Sequence, residues 1–180
     1  MATRLESLSK NTPKILMDIN GTPLIEILLT EYRKAGFDHF VLLTGHLGNK
    51  LKKYKSKNVK IIQEKKPLGT GGAIINALDK LGEHFFVANG DTFIKAKDIC
   101  AFTKYANKKD ASLVFNTHAG LFAFNKSTLS KWGNVSLILE KDIMLDIKNF
   151  CYFIGKEKYW DIGTPEKLEE FRKFHKGGMK

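Results

Sequence analysis

Apolar positions recur along the first two thirds of the chain with two alternating signatures, one of helical spacing and one of short unbroken runs. Leu24, Ile25, Leu28, Leu29 and Tyr32 follow the helical spacing until Gly36, and Thr22-Pro23 ahead of them offers an N-cap followed by proline at the first helical position. Phe40 to Thr44 is a run of strand length. The pattern then predicts a helix over about Leu47 to Tyr54, a strand over Val59 to Gln63, a glycine turn, a helix over about Gly71 to Leu81 and a strand over Phe85 to Ala88. Ser112 to Phe115 and Gly120 to Phe124 read as further strands. A closing helix is expected from Pro165 to about Phe174, with Thr164 as its cap.

Strands separated by helices form parallel βαβ units, which bind ligands beyond the carboxyl ends of their strands. The expected class is α/β, as one domain over residues 1–180. The strand ends to inspect are Thr44-Gly45-His46, Gln63-Glu64 running into Pro67-Leu68-Gly69-Thr70-Gly71-Gly72, and Asn89-Gly90-Asp91.

At 180 residues and 43% hydrophobic composition the chain can bury a core of its own, and 27% charged residues with only four prolines exclude collagen-like and wholly disordered readings. No apolar run reaches the roughly 18 residues of a membrane span, and Met1 to Glu6 lacks the apolar segment of a signal peptide, so the cytoplasm is the expected address. Cys100 and Cys151 form no metal or disulfide spacing and are expected as reduced thiols. Charge is the skewed quantity: 30 basic against 19 acidic residues give +11, a field that attracts anions. The densest basic run, Lys50 to Lys60, carries only Tyr54 as a stacking aromatic. It therefore reads as a solvated lysine-rich face rather than a nucleic-acid surface.

Gly69, Gly71 and Gly72 lie between a strand and a helix, where missing Cβ atoms let backbone N–H groups approach a phosphate or ribose; the same residues equally make a plain tight turn. Asp91 ends an apolar strand behind Asn89-Gly90, so it is either a magnesium ligand held on a rigid base or a turn and cap aspartate. Asp161 falls three residues before the expected cap Thr164, which leaves it free for another role, and the two carboxylates could share one metal. Arg4, Lys10 and Lys14 form a basic cluster around a stretch of little periodicity, either solvated or folded over a polyphosphate. Five histidines, at 39, 46, 84, 118 and 175, show no zinc spacing, and there is no G-x-S-x-G elbow.

Taken in order, Thr3-Arg4-Leu5, Pro13-Lys14, Gly21-Thr22-Pro23-Leu24-Ile25-Glu26, Pro67-Leu68-Gly69-Thr70-Gly71-Gly72-Ala73, Asn89-Gly90-Asp91, Ala119-Gly120-Leu121-Phe122 and Asp161-Ile162-Gly163-Thr164-Pro165-Glu166 resemble the sugar-phosphate nucleotidyltransferase family nearly from end to end. The similarity is strongest to its heptose 1-phosphate and mannose 1-phosphate guanylyltransferases. It implies a Rossmann-like, doubly wound, mostly parallel but mixed sheet, and a Mg²⁺-dependent exchange in which sugar 1-phosphate and NTP give NDP-sugar and pyrophosphate. By the same resemblance Arg4 and Lys14 contact phosphates, and Asp91 and Asp161 hold the metal. Glu64, Gly69, Thr70, Gly71, Asn89 and Gly90 line the nucleotide. A carboxylate at Glu64 can accept from both N1–H and N2–H₂ of guanine, which leans the choice to GTP. The expected partners are a nucleoside triphosphate and a sugar 1-phosphate, with no nucleic acid and no membrane, and a homodimer is a compatible assembly.

Two segments of the family pattern are expected to be missing. The chain begins inside the Gly-Gly-x-Gly-Thr-Arg-Leu motif, so the strand that leads into it is absent and its neighbours' hydrogen-bonding edges should lie open. Between Val114-Phe115 and Ala119-Gly120 only Asn116-Thr117-His118 stands where relatives carry a longer acceptor-side segment. The rival readings are a uridylyl- or cytidylyltransferase of the same fold, and a non-catalytic nucleotide-binding paralogue.

Overall fold

The computed structural model describes residues 12–45, 47–109, 112–116, 119–133, 135–147 and 150–177. Arg4, Lys10, His46 and His118 lie outside them. Strands β1 (Asp18–Ile19) and β2 (Thr22–Pro23) form a small hairpin ahead of helix α1 (Leu24–Lys34). Asn20 and Gly21 sit at φ 54° and 91°, the left-handed pair that a two-residue Asn-Gly hairpin requires. The hairpin claims Thr22, so the expected N-cap is displaced: Pro23 precedes α1 and no side chain caps it. The apolar stripe behaves as its spacing predicts, with Leu24, Ile25, Ile27, Leu28 and Leu29 all buried.

Strands β3 (Phe40–Thr44) and β4 (Val59–Gln63) pair in parallel, Phe40 opposite Val59 and Thr44 opposite Gln63. The segment between them is a 3₁₀ helix, Gly48–Tyr54, rather than an α-helix. The helix expected over Gly71 to Leu81 is split into α2 (Gly69–Asn76) and a 3₁₀ turn (Leu78–Lys80). After β5 (His84–Ala88) and β6 (Thr92–Phe93) comes α3 (Ala96–Ala106). Next are β7 (Ser112–Phe115), β8 (Leu121–Asn125) and the short α4 (Lys126–Leu129). The chain ends with β9 (Phe150–Phe153), β10 (Trp160–Asp161) and α5 (Pro165–Gly177). The main sheet has the order β5-β8-β7-β9, with β5/β8 and β7/β8 antiparallel and β7/β9 parallel, so the architecture is α/β with a mixed sheet.

Among the described residues β3 and β5 each pair on one edge only and face each other across two adjoining cavities of about 520 Å³ each. Phe40 and His84, the first residues of the two strands, line the first cavity; Leu43 and Ala88, near their last, line the second.

A separate core fixes the C-terminal half of the site. Ile19, Phe93, Ile162, Leu168 and Phe171 are fully or almost fully buried together, and Trp160 stacks on Phe174 at 4.9 Å between centroids. Burial of a side chain such as Phe171 contributes about 2–3 kcal/mol. Arg172 adds a polar tie: its guanidinium donates to the Asp18 carbonyl at 2.8 and 3.0 Å, and its own carbonyl accepts from the Asn20 side chain at 2.9 Å. The helix that follows Asp161 is thereby pinned to the hairpin that follows Lys14.

Candidate active site

Lys14 opens a short 3₁₀ turn, Lys14–Leu16, and its ammonium lies 4.0 Å from a carboxylate oxygen of Asp91. Asp91 stands between β5 and β6, where Asn89-Gly90 ends the apolar run and turns the chain. Gly90 leaves room for Ile15, whose side chain lies 3.1 Å from the place a Cβ would take. Lys14, Thr70, Asn89, Gly90 and Asp91 all line the second of the two cavities. Asn89, Gly90 and Asp91 stand at the carboxyl end of β5, the end where an α/β sheet places its ligands.

Asp161 joins this group through backbone pairing. β10 runs antiparallel to β6 with Asp161 opposite Thr92, and the Ile162 N–H donates to the Asp91 carbonyl at 2.7 Å. One Asp161 oxygen accepts from the Gly163 N–H at 3.0 Å, and the other accepts from the Lys167 ammonium at 2.5 Å. Thr164 caps α5 as expected, its hydroxyl accepting from the Lys167 N–H at 3.3 Å, so the cap also sets where the lysine stands. Burial pushes the Asp91 carboxyl above its ordinary value; Lys14 pulls it back down and the charge of Asp161 raises it further. Hydrogen bonding to Asp161 holds the Lys167 ammonium above its usual range.

The glycine turn is built differently from the expectation of an open phosphate cradle. Gly71 and Gly72 donate their N–H groups to the carbonyl of Leu137, at 2.8 and 3.1 Å, and the Leu137 N–H donates to the Leu68 carbonyl at 2.8 Å. The Thr70 hydroxyl accepts from the Leu139 N–H at 2.9 Å. Gly69 has φ +72°, and a Cβ on it would collide with the Leu137 carbonyl. The absent side chains therefore admit the backbone of residues 135–139. Gly71, expected at the nucleotide, has its N–H already satisfied. Glu64, expected at the base, spends one oxygen on the Leu68 N–H at 2.9 Å, closing its own turn, and lines neither cavity.

Asn89 is also engaged: its N–H donates to the Gly120 carbonyl at 2.8 Å, and Gly120, at φ +61°, leaves no space for a Cβ against the Asn89 side chain. Asn116, at φ 42°, follows β7, and Thr117 and His118, the rest of the stretch expected to be short, lie outside the described residues. Sequence reasoning missed Lys167. Its only signal was its place in the first turn of the helix behind Asp161, among 30 basic residues.

The profile of the MobA-like NTP transferase domain family matches residues 1–146. The chain belongs to that family. It is 29% identical over 208 aligned positions to D-glycero-alpha-D-manno-heptose 1-phosphate guanylyltransferase of Campylobacter jejuni, covering 95% of this chain and 94% of the relative. The enzyme of the same description from Aneurinibacillus thermoaerophilus is 24% identical, with 96% and 94% covered. In fold the chain is similar to HddC from Yersinia pseudotuberculosis complexed with GMP-PN, at a TM-score of 0.83 and 22% identity over 96% of this chain and 94% of that one. The sugar-phosphate nucleotidyltransferase resemblance and the α/β reading both hold. Among the described residues no helix is long and apolar enough to cross a membrane.

Could the site hold a divalent cation? Among the described residues no group of three or more His, Cys, Asp or Glu side chains is placed to hold a metal ion. Two carboxylates, Asp91 just ahead of β6 and Asp161 on the strand paired with it, close enough for one charge to raise the other's pKa, suit a hard cation whose remaining ligands are water and substrate phosphate.

Proposed function

We propose that the chain condenses a sugar 1-phosphate of heptose or mannose type with GTP to give a GDP-sugar and pyrophosphate, in the cytoplasm. The observation that carries this reading is the single cavity on which Lys14 and Asp91 meet, with Asp161 delivered beside it by the β6/β10 pairing. The described relatives are heptose 1-phosphate guanylyltransferases by name, which supports the acceptor class and the base.

In the reaction an oxygen of the sugar phosphate attacks the α-phosphorus of the nucleotide, the bond from that phosphorus to the bridging oxygen breaks, and pyrophosphate leaves with the electron pair. No protein nucleophile is required, so the chain's work is to position two anions and offset their repulsion. Lys14 and, from the sequence motif, Arg4 place positive charge against the phosphates. Asp91 and Asp161 hold Mg²⁺, which when bound neutralises charge developing on the phosphoryl oxygens. Thr70, Asn89 and Gly90 shape the wall beside them. Gly69 and Gly71 let the glycine turn pack tightly against residues 135–139. Glu64 has its second oxygen left to read guanine.

Calorimetric titration of GTP, UTP and CTP with Mg²⁺ present tests the base. Tightest binding of GTP, with the preference reduced in Glu64→Gln, agrees with the reading; equal affinities contradict the assignment of Glu64. The short Asn116-Thr117-His118 stretch in the sequence favours one rival, a protein that binds nucleotide without turnover, and a pyrophosphate-release assay separates the two.

A further inference from the structure

Lys167 belongs to no motif and no role assigned above, yet it is the cation nearest to hand at the carboxylate pair. Its ammonium is on Asp161 at 2.5 Å, while Lys14 faces Asp91 at 4.0 Å. Two lysines and two aspartates thus balance to zero net charge at the site. The Lys167 side chain is 47% and that of Asp161 44% exposed, so water competes for both ends and the pair is held weakly enough to exchange. The other Asp161 oxygen is fixed by the Gly163 N–H and the Lys167 backbone by the Thr164 cap, so the ammonium takes the one Asp161 oxygen left for a cation, within range of the Asp91 charge as well.

We propose that Lys167 is a positioning residue that stands in for the metal: it holds Asp161 in the ligand-free protein and is displaced when a divalent cation enters with nucleotide. The inference rests on the reading of Asp91 and Asp161 as metal ligands. Its consequence is coupling. Without nucleotide the cation must compete with an ammonium already in place and remains repelled by it, so affinity is low. Nucleotide phosphates draw the ammonium away and add ligands of their own, so the cation binds well only in the ternary state, and by linkage it tightens nucleotide equally.

The test counts bound Mn²⁺ by electron paramagnetic resonance, with and without a non-hydrolysable GTP analogue. The proteins are the wild type, Lys167→Met, Lys167→Gln, and Lys131→Met, which removes a comparable exposed pair with Asp146 outside the site. Lys167 variants should bind Mn²⁺ about three- to tenfold more tightly without nucleotide, and the gain conferred by the analogue should shrink by the same factor. Lys131→Met should match the wild type. Unchanged or weaker Mn²⁺ binding in both Lys167 variants, with analogue-promoted binding intact, overturns the proposal and leaves the metal reading standing. If the wild type binds no Mn²⁺ even with the analogue, the metal reading fails and this proposal with it.

Discussion

The Ile162 N–H donates to the Asp91 carbonyl at 2.7 Å, so the strand end that carries one site carboxylate is stitched by backbone to the segment that carries the other. Side-chain chemistry at Asp91 and Asp161 is therefore separable from the fold that presents it. Asp91→Asn and Asp161→Asn should melt as cooperatively as the wild type while lowering turnover roughly 100-fold or more, because in the proposed role each carboxylate holds the cation that offsets the phosphates' charge. Paired melting curves and initial rates on one preparation check this; a variant that loses activity only by unfolding contradicts it.

Stability should respond to pH through the same carboxylate. Burial raises the folded-state pKa of Asp91 above the 3.8 of an unperturbed carboxyl. The folded protein thus binds more protons than the unfolded chain between those two values, and stability is lost as pH rises through them. At neutral pH the ionised, half-buried Asp91 is a net cost, so Asp91→Asn should melt about 1–3 °C higher at pH 7. The gain should shrink as pH falls through those two pKa values and approach zero only well below 3.8, where Asp91 is protonated in both states. Thermal scans across pH 3–8 read the difference, and a gain independent of pH removes Asp91 as its source.

Backbone packing at the glycine turn gives a stability prediction with an internal control. Gly69→Ala forces a side chain into φ +72° and against the Leu137 carbonyl, and should cost about 2–3 kcal/mol. Gly21→Ala faces φ +91° with nothing within 4 Å, so only the conformational cost of about 1–2 kcal/mol remains. Urea unfolding of the two variants should rank them in that order; equal losses would show that residues 135–139 do not press on the turn.

Asp98, on α3 and only 3% exposed, holds the chain that leads to Asp161: its oxygens accept from the N–H groups of Lys156 and Glu157 at 3.2 and 2.9 Å. Asp98→Ala leaves those donors without their acceptor and should cost about 2–3 kcal/mol, with Asp98→Asn recovering part of it through its remaining oxygen. Denaturant midpoints of the two variants measure this.

Much of this was legible in the chain because it depends on local pattern. The stripe from Leu24 to Leu29 and the runs Phe40 to Thr44, Val59 to Gln63 and Phe85 to Ala88 have one side or both against a core, and burial enforces their period. Thr22 failed as a cap because the left-handed pair Asn20-Gly21 drew it into a hairpin, a competition that spacing alone does not resolve. β9 went unread, since Phe150 to Phe153 owes its place to pairing with a strand about 38 residues earlier. Asp91 was a candidate because an apolar run ends just before it, and Asp161 because it stands clear of the cap at Thr164. What occupies the glycine turn was not legible, because Leu137 reaches Gly71 only in three dimensions, and Lys167 is one lysine among many until the fold sets it on Asp161.

The central claim, nucleotidyl transfer at the Asp91–Asp161 pair, is tested most directly by pyrophosphate release from GTP with heptose 1-phosphate or mannose 1-phosphate and Mg²⁺, comparing wild type with Asp91→Asn. The account predicts release that requires the sugar phosphate, is faster with GTP than with UTP or CTP, and falls roughly 100-fold or more in the variant. Wild-type protein that binds GTP yet releases pyrophosphate no faster than Asp91→Asn would contradict it.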